Sequence, residues 1–230
     1  MDWRVAVKRA IPPALLNNVL LAFPMLYRTR LVRYETTLAD DHGIEELIAQ
    51  LAAALPFEGE IIECGSSRCG ASVIMANELR ARGIGKTIYA CDSFTGFDRR
   101  ELANERRLGL TGATEKAFTS TSLAYVQKKL RRLGVERTVV PVPGYYRDTL
   151  PQFDMRFCFA LVDCDLRESM TYCAETLWPR LVAGARMVFD DYSEPNFKGA
   201  KLAVDAFVSR HGAEIGEHGL LRRLYCVRKG

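Results

Sequence analysis

The sequence lacks long apolar runs, internal repeats, low-complexity linkers and a large charge of either sign. No run reaches the roughly 18 apolar residues that a membrane span needs, so no spanning helix is predicted. The net charge of +4 is too small to predict nucleic-acid binding. With 230 residues, 48% hydrophobic and 26% charged, the chain is long enough and apolar enough for one sizeable globular core.

Paired cysteine motifs are also missing. Seven cysteines occur, an odd number, with no CxxC, and most lie inside apolar runs. They are Cys64, Cys69, Cys91, Cys158, Cys164, Cys173 and Cys226. This pattern predicts reduced, buried thiols in a cytoplasmic protein rather than a disulfide framework.

Acidic residues are nearly absent from the N-terminus, where Asp2 is the only acid before Glu35. Prolines interrupt its apolar run and no A-x-A-like site follows, so a signal peptide is not predicted. We expect residues 1–43 to form a helical cover over the functional site or a contact in a homo-oligomer. Peripheral attachment to an anionic membrane surface is the alternative, because the segment mixes basic and apolar residues.

From residue 44 to 230, short β-prone runs alternate with helical patterns. The runs are 60–64, 86–91, 137–142, 156–162 and 185–189, and the helical patterns are 43–55, 70–83, 122–134, 169–182 and 199–212. This alternation is typical of a parallel, doubly wound α/β sheet. A proline in 137–142 indicates an edge strand.

Residues 213–229 read as two further strands about a tight turn at His218 and Gly219. They leave no room for a crossover helix, so they predict an antiparallel hairpin. The predicted fold is a Rossmann-like class I methyltransferase, with a mostly parallel seven-stranded sheet and a C-terminal antiparallel hairpin.

The first predicted strand is followed by the loop ECGSSRCGAS. Gly65 and Gly70 permit a tight turn and close backbone approach at the start of a helix. Ser67 stands where a dinucleotide fingerprint has its middle glycine, so a purely structural turn is the alternative. Glu63, at the strand end, could meet a cationic ligand.

The second predicted strand ends at Asp92, 27 residues after Gly65. An acid in this place can accept hydrogen bonds from both hydroxyls of a ribose. The alternative is an acid that caps a turn.

Two acidic pairs follow later strands, Asp163 with Asp165 and Asp190 with Asp191. If the two strands are neighbours, their ends lie about 5 Å apart. Three carboxylates at one point repel unless a cation joins them, and Mg²⁺ prefers such oxygen ligands. Capping of the following helices is the alternative. If strand geometry continues, Asp163 and Asp165 also point to the same side.

Five blocks together resemble the macrocin O-methyltransferase family, which acts on sugars of antibiotics. They are residues 59–72, 89–98, 144–151, 162–169 and 189–192. The resemblance implies S-adenosylmethionine as methyl donor, Mg²⁺ bound by Asp163, Asp190 and Asp191, and Asp165 as general base. On this basis Asp163 and Asp165 are assigned to catalysis. Cofactor binding is assigned to Glu63, Gly65, Ser66, Arg68, Gly70, Ala71, Asp92, Ser93 and Tyr145.

The sequence departs from the family pattern at three places. Cys164 replaces the glycine of a D-G-D motif, and Ser67 replaces an aromatic residue. A family histidine base has no secure counterpart; His211 and His218 are the candidates, and His218 is expected at the surface in the hairpin turn.

The predicted function is methyl transfer, assisted by a divalent metal, to a hydroxyl of a sugar or other polyhydroxylated secondary metabolite. A catechol-type O-methyltransferase is the nearest alternative, since vicinal hydroxyls on Mg²⁺ need the same acids. An NAD-dependent oxidoreductase and a non-catalytic partner with the same fold are alternatives of other classes. Acceptor choice is expected to reside in residues 1–43 and 94–121.

Overall fold

The structure is a computed structural model that describes residues 12–29, 32–36, 38 and 41–230. Its strands are β1 (Glu60–Cys64), β2 (Ile88–Asp92), β3 (Val139–Pro143), β4 (Phe157–Val162), β5 (Leu181–Phe189), β6 (Ile215–Leu220) and β7 (Tyr225–Lys229). They form one sheet in the order β3-β2-β1-β4-β5-β7-β6. The first five strands pair in parallel, and β7 pairs antiparallel with both β5 and β6. The predicted sheet, its edge strand β3 and its terminal hairpin are therefore confirmed.

The helices connect the strands. They are α1 (Pro13–Ala22), α2 (Asp41–Ala54), α3 (Gly70–Arg82), α4 (Arg99–Arg107), α5 (Leu123–Leu133), α6 (Tyr146–Thr149), α7 (Arg167–Leu177) and α8 (Lys198–His211). Two apolar cores lie on opposite faces of the sheet, because successive strand residues point to opposite sides. Ile61 of β1 packs in the core with α2, α3 and α5, whereas Ile62 packs in the core with α7 and α8.

Helix α4 was not predicted from the sequence. Its composition, RRELANERR, has no apolar stripe of the kind that indicates a helix against a core. Asp98 caps its first turn by accepting hydrogen bonds from the backbone N–H groups of Arg100 and Glu101.

The hairpin turn lies elsewhere than predicted. His218 is inside β6, paired with Val227, and the turn follows at Leu221–Leu224, where Leu221 N–H donates to the Leu224 carbonyl. Gly219 does not have the positive φ that a tight two-residue turn requires. Tertiary contacts of the later turn fix the register instead, as described below.

The described N-terminal residues pack against α5 and the loop after β1. Lys129 of α5 is fully buried and its Nζ lies 3.1 Å from a carboxylate oxygen of Glu35. The same Nζ donates to the carbonyls of Tyr34 and Arg68, each at 2.6 Å. One ammonium group therefore joins the N-terminal segment to the β1 loop. The part of the predicted N-terminal unit in residues 1–11 lies outside the described residues.

All seven cysteines are buried free thiols, as predicted. Within the part of the chain that the structure describes, no helix combines the length and apolar character of a membrane crossing.

Candidate functional site

A cavity of about 780 Å³ opens at the carboxyl ends of the parallel strands. Ligands of open α/β sheets bind at this edge. Three regions meet in its wall: the loops after β1 and β2, the acids after β4 and β5, and a roof made by α4 and its neighbours. The residues that line the cavity include Gly65, Ser67, Asp92, Ser93, Tyr145, Asp163, Asp165, Asp190, Asp191 and Arg223.

Asp163, Asp190 and Asp191 form what we call the acidic cluster. One carboxylate oxygen of each lies within 4.8 Å of those of the other two, and all three residues are buried. The strand ends bring them together, since β4 and β5 are neighbours and Asp190 N–H donates to the Val162 carbonyl. This is the convergence that the sequence predicted.

Burial and the neighbouring carboxylates disfavour charge on Asp163 and Asp191. Burial, followed by repulsion from Asp190 and Asp191, raises the pKa of Asp163 well above its usual value. Burial and Asp190 likewise raise the pKa of Asp191 to about 7. Asp190 Oδ1 and Asp191 Oδ2 are buried without a hydrogen-bond partner among the described residues. Converging, unsatisfied oxygen donors of this kind fit a hard divalent cation.

Asp165 reaches the same cavity by a different route from the one predicted. Strand β4 ends at Val162, so the alternation that would align Asp163 with Asp165 does not continue. Instead Asp165 has φ +63°, and Leu166 N–H donates to the Cys164 carbonyl at 2.6 Å, which closes a three-residue γ-turn. A non-glycine residue in this conformation is strained, as residues at functional sites often are.

The carboxyl of Asp165 lies within hydrogen-bonding reach of Asp191. Burial, with repulsion from Asp191 and Asp190, raises the pKa of Asp165 well above its usual value. The two acids can therefore share a proton at the cavity wall.

Cys164 has its side chain in the core beneath the turn. Its Sγ lies 3.5 Å from the Cys64 carbonyl oxygen and 3.6 Å from Cys173 Sγ. Cys164, which replaces the family's glycine, lines the cavity but is only 4% exposed, and its thiol packs under the acids. Burial raises its pKa to about 12, which keeps it a neutral thiol.

The loop after β1 touches the turn after β4. Gly65 has φ +96°, and a Cβ on it would lie 1.7 Å from the Asp163 carbonyl oxygen. Only glycine fits this contact. Its N–H donates to the Cys91 carbonyl at 2.9 Å, so the loop is also tied to β2.

Asp92 ends β2 and faces the cavity. Its carboxylate accepts hydrogen bonds from the backbone N–H groups of Ser67 (2.8 Å) and Phe94 (2.7 Å). These bonds hold the carboxylate in a fixed orientation beside Gly65. Burial raises the pKa of Asp92, and the two backbone bonds oppose that rise.

Of the nine residues assigned to cofactor binding, four line the cavity: Gly65, Asp92, Ser93 and Tyr145. The other five lie behind its wall: Glu63, Ser66, Arg68, Gly70 and Ala71. Glu63 accepts a hydrogen bond from Ser72, and burial raises its pKa to about 7. A Cβ on Gly70 would lie 2.3 Å from the backbone of Thr36, so this glycine allows the N-terminal segment to approach.

The Arg68 side chain points to the N-terminal segment. Its guanidinium pairs with Glu35 and donates to Asn17 Oδ1, and it stacks 5.0 Å from the ring centroid of Tyr125. Tyr125 in turn donates to Glu35 at 2.7 Å. None of the described residues before 44 lines the cavity.

The roof of the cavity comes from residues 94–118 and from the loop before α8. Phe97 stacks edge-on against Phe118 and Phe197, with ring centroids 5.2 and 6.1 Å apart. Glu101 and Glu105 of α4 accept hydrogen bonds from the backbone N–H groups of Ser169 and Arg167, the first turn of α7. The roof helix therefore caps the helix that follows the acidic turn, a contact that single-sequence patterns do not reveal.

Neither histidine proposed as a base lies at the cavity. His211 contacts Glu175 and Glu214, and His218 contacts Tyr225. The third histidine, His42, pairs with Arg222. No histidine is among the described residues that line the cavity, which carries nine carboxylates.

Arg223 is a cavity residue that sequence reasoning missed. Its Nη2 lies 2.9 Å from Asp190 Oδ2. The residue falls in the turn between β6 and β7, which the sequence analysis had placed four residues too early. A correctly placed turn would have brought Arg223 next to the end of β5.

Comparisons with known proteins agree with this architecture. A curated protein of Streptomyces olivaceus, 8-demethyl-8-(2,3-dimethoxy-alpha-L-rhamnosyl)-tetracenomycin-C 4'-O-methyltransferase, is 31% identical over 170 residues. The match covers 70% of this chain but 62% of that protein, so the chain spans about three-fifths of its relative's length.

Two solved structures share the fold. The O-methyltransferase NovP has a TM-score of 0.68 and 23% identity, covering 81% of this chain and 78% of its own. The calicheamicin methyltransferase CalS11, also described as a TDP-rhamnose 3'-O-methyltransferase, has a TM-score of 0.66 and 20% identity, covering 95% of this chain and 91% of its own. At these identities the likeness establishes the class I methyltransferase fold.

The family model described as Macrocin-O-methyltransferase (TylF) matches residues 30–217. That span includes the β1 loop, Asp92, the acidic cluster and the roof. The chain therefore belongs to the macrocin O-methyltransferase family.

Proposed function

We propose that the protein transfers a methyl group from S-adenosylmethionine to a hydroxyl of a sugar-containing small molecule, with the help of a divalent cation. The observation that carries the proposal is the acidic cluster, whose oxygens converge within 4.8 Å in a cavity also lined by the β1 loop and Asp92. A cofactor loop and a metal-binding edge in one cavity suit the transfer of a group between two bound molecules.

The cofactor is proposed to lie along the β1 and β2 loops. Asp92, oriented by two backbone N–H groups, would accept the ribose hydroxyls. Gly65 would permit close approach of the cofactor, and Tyr145, 43% exposed, would form a side wall. S-adenosylmethionine supplies the electrophilic methyl group when bound.

The metal is proposed to bind to Asp163, Asp190 and Asp191. A bound divalent cation would lower the pKa of a hydroxyl that coordinates it. The protein's part is to hold three oxygen ligands at the ends of adjacent strands, where the sheet fixes their spacing. Asp165, beside Asp191, is proposed to take the proton from the acceptor hydroxyl.

The charges in the cavity favour a neutral acceptor over a nucleotide sugar. Nine acidic and three basic side chains line it among the described residues. Two of the bases are already paired, Arg147 with Glu168 and Arg223 with Asp190. A diphosphate would meet mainly like charge, so we propose a glycoside as acceptor, with its apolar part against the Phe97 ring cluster.

Cytoplasmic location is proposed with this function, supported by the seven buried free thiols.

The test is a mass screen for products heavier by about one methylene group per transfer, with S-adenosylmethionine and panels of glycosides, nucleotide sugars and catechols. Each panel is run with Mg²⁺ and with a chelator. We expect Mg²⁺-dependent products from the glycosides. Products from catechols alone would favour the catechol-type enzyme, and binding of NAD without methyl transfer would favour an oxidoreductase.

The metal assignment has its own control. The double variant Asp190→Asn, Asp191→Asn should lose methyl transfer and divalent-cation binding, whereas Asp154→Asn, an exposed acid away from the cavity, should lose neither. Full activity of the double variant in the presence of a chelator would show that the metal assignment is wrong.

A further inference from the structure

Arg223 places a guanidinium directly on one member of the acidic cluster. Its Nη2 lies 2.9 Å from Asp190 Oδ2, and Asp190 is only 1% exposed. The other oxygen, Asp190 Oδ1, is buried without a hydrogen-bond partner among the described residues. One edge of the carboxylate is therefore held by the protein while the other is left for a ligand.

The turn that carries Arg223 is itself fixed from another part of the fold. Glu46 of α2 accepts hydrogen bonds from three successive backbone N–H groups, those of Arg222 (2.7 Å), Arg223 (3.1 Å) and Leu224 (3.0 Å). Leu224 is fully buried, which anchors the turn from below. One carboxylate thus fixes the backbone from which the guanidinium reaches the cavity.

Sheet topology explains why this turn meets the cluster. Strand β7 runs antiparallel to β5, and Tyr225 pairs with Phe189. The residue before Asp190 therefore lies opposite the residue after the turn. The turn of the C-terminal hairpin therefore lies at the same edge of the sheet as the acidic cluster.

From these contacts we propose that Arg223 is a positioning residue for the divalent-cation site, and that Glu46 positions Arg223. The inference rests on the proposed metal site. Arg223 holds Asp190 Oδ2 and leaves Oδ1 for the ion, and its charge offsets part of the repulsion among the three carboxylates before the ion arrives. Outer partners that orient a metal ligand in this way typically contribute 10- to 100-fold to metal affinity.

The test measures Mn²⁺ binding by electron paramagnetic resonance and Mg²⁺ binding by calorimetry on the full chain. We expect Arg223→Gln to weaken binding at least about tenfold. S-adenosylmethionine affinity, measured separately without metal, should stay within about twofold, because the Arg223 side chain pairs with Asp190 and neither residue belongs to the β1 or β2 loop. If Arg223 only stabilised the hairpin, Arg223→Gln would not weaken metal binding alone.

Arg222→Gln is the matched control. It removes the same charge from the same turn, but the Arg222 side chain pairs with His42 at 2.9 Å and does not line the cavity. We expect its metal affinity to be unchanged. An equal loss in both variants would reduce the effect to net charge and overturn the proposal, as would wild-type affinity in Arg223→Gln.

Two further variants keep the test decisive if Arg223→Gln folds poorly. Arg223→Lys retains the charge but lacks the planar fork that engages a carboxylate edge, so we expect an intermediate loss. Glu46→Gln keeps one acceptor oxygen of the clamp, and it should weaken metal binding with Arg223 still present. If both bind metal as the wild type does, the proposal is wrong. If instead the Asp190, Asp191 double variant retains metal binding, the metal site itself is wrong.

Discussion

Glu63 is a buried carboxyl behind the cofactor loop, and its burial has a consequence for stability. The pKa of Glu63 is raised to about 7, whereas a glutamate in an unfolded chain titrates near about 4.3. At pH values between these two, the folded protein therefore holds a proton that the unfolded chain has already released. Glu63 should accordingly contribute a fall in the free energy of unfolding of the metal-free protein as pH rises from about 4 to about 7, and no further change above that.

Glu63→Gln should flatten this profile, because glutamine carries no titrating proton and can still accept a hydrogen bond from Ser72. Thermal melts from pH 5 to 8 in a chelator would measure it. Asp163, Asp165 and Asp191, whose pKa values burial also raises, leave a residual slope in the variant. Glu58→Gln, an exposed acid, should keep the wild-type profile. Parallel profiles for wild type and Glu63→Gln would contradict the assignment.

Asp165 carries the second prediction at this scale. If it takes the acceptor's proton, Asp165→Asn should lower kcat by about 10² to 10⁴. Divalent-cation binding should change little, since Asp165 is not one of the three clustered ligands. Single-turnover rates and Mn²⁺ titration would separate the two effects. An unchanged rate across pH would rule out the role.

Much of the site could be predicted from residue types and their positions in the chain. Asp92 ends a strand. Asp163, Asp190 and Asp191 follow strands, and the ends of parallel strands must meet at one edge. The strained turn at Asp165 and the salt bridge of Arg223 were not accessible in the same way. They depend on local dihedral angles and on a loop register, which hydrophobic periodicity does not specify.

The β1 loop and the β4 turn are in close contact at Gly65, where a Cβ would have almost no room. Gly65→Ala would force a Cβ to within 1.7 Å of the Asp163 carbonyl oxygen at an unfavourable φ. We expect a loss of stability of more than about 3 kcal/mol, from overpacking together with backbone strain. Gly83→Ala, also at positive φ but with nothing within 4 Å, should cost only about 1 kcal/mol. Urea denaturation of both variants would check the difference, and equal losses would refute it.

A buried ammonium group is one of the contacts that hold the N-terminal segment. Lys129→Met removes the cation that joins Glu35, the Tyr34 carbonyl and the Arg68 carbonyl. Glu35 keeps its pair with Arg68, but the two carbonyls lose this donor, which should cost about 1 to 3 kcal/mol. Lys128→Met, exposed on the same helix, should stay within about 0.5 kcal/mol of wild type. Urea titration would measure both, and a neutral Lys129→Met would contradict the role given to the clamp.

Element placement followed periodicity closely, and its failures have identifiable causes. Strand β1 was placed at residues 60–64, as observed, because an apolar run ends there in a glycine loop. Helix α4 was not predicted, because only two of its residues, Leu102 and Glu105, are buried. The hairpin turn was misplaced because Glu46, over 170 residues earlier in the chain, fixes it.

At the scale of the whole molecule, the fold was predictable because alternation of strands and helices admits few topologies. The alternation does not predict which segments that are distant in the chain contact one another. The roof helix α4 caps α7 through Glu101 and Glu105, and the N-terminal segment contacts the β1 loop through Glu35. Both contacts join segments that short-range patterns treat as independent.

The contact of Gly65 with the backbone of Asp163 makes the two proposed ligands thermodynamically linked. S-adenosylmethionine would order one side of that contact and the cation the other, so each should tighten the binding of its partner. The thermodynamic cycle then requires the same factor in both directions, at least about fivefold for a coupling of about 1 kcal/mol. Calorimetric titration of each ligand with and without the other would measure the two factors. Independent binding would mean that the shared backbone transmits nothing between the two ligands.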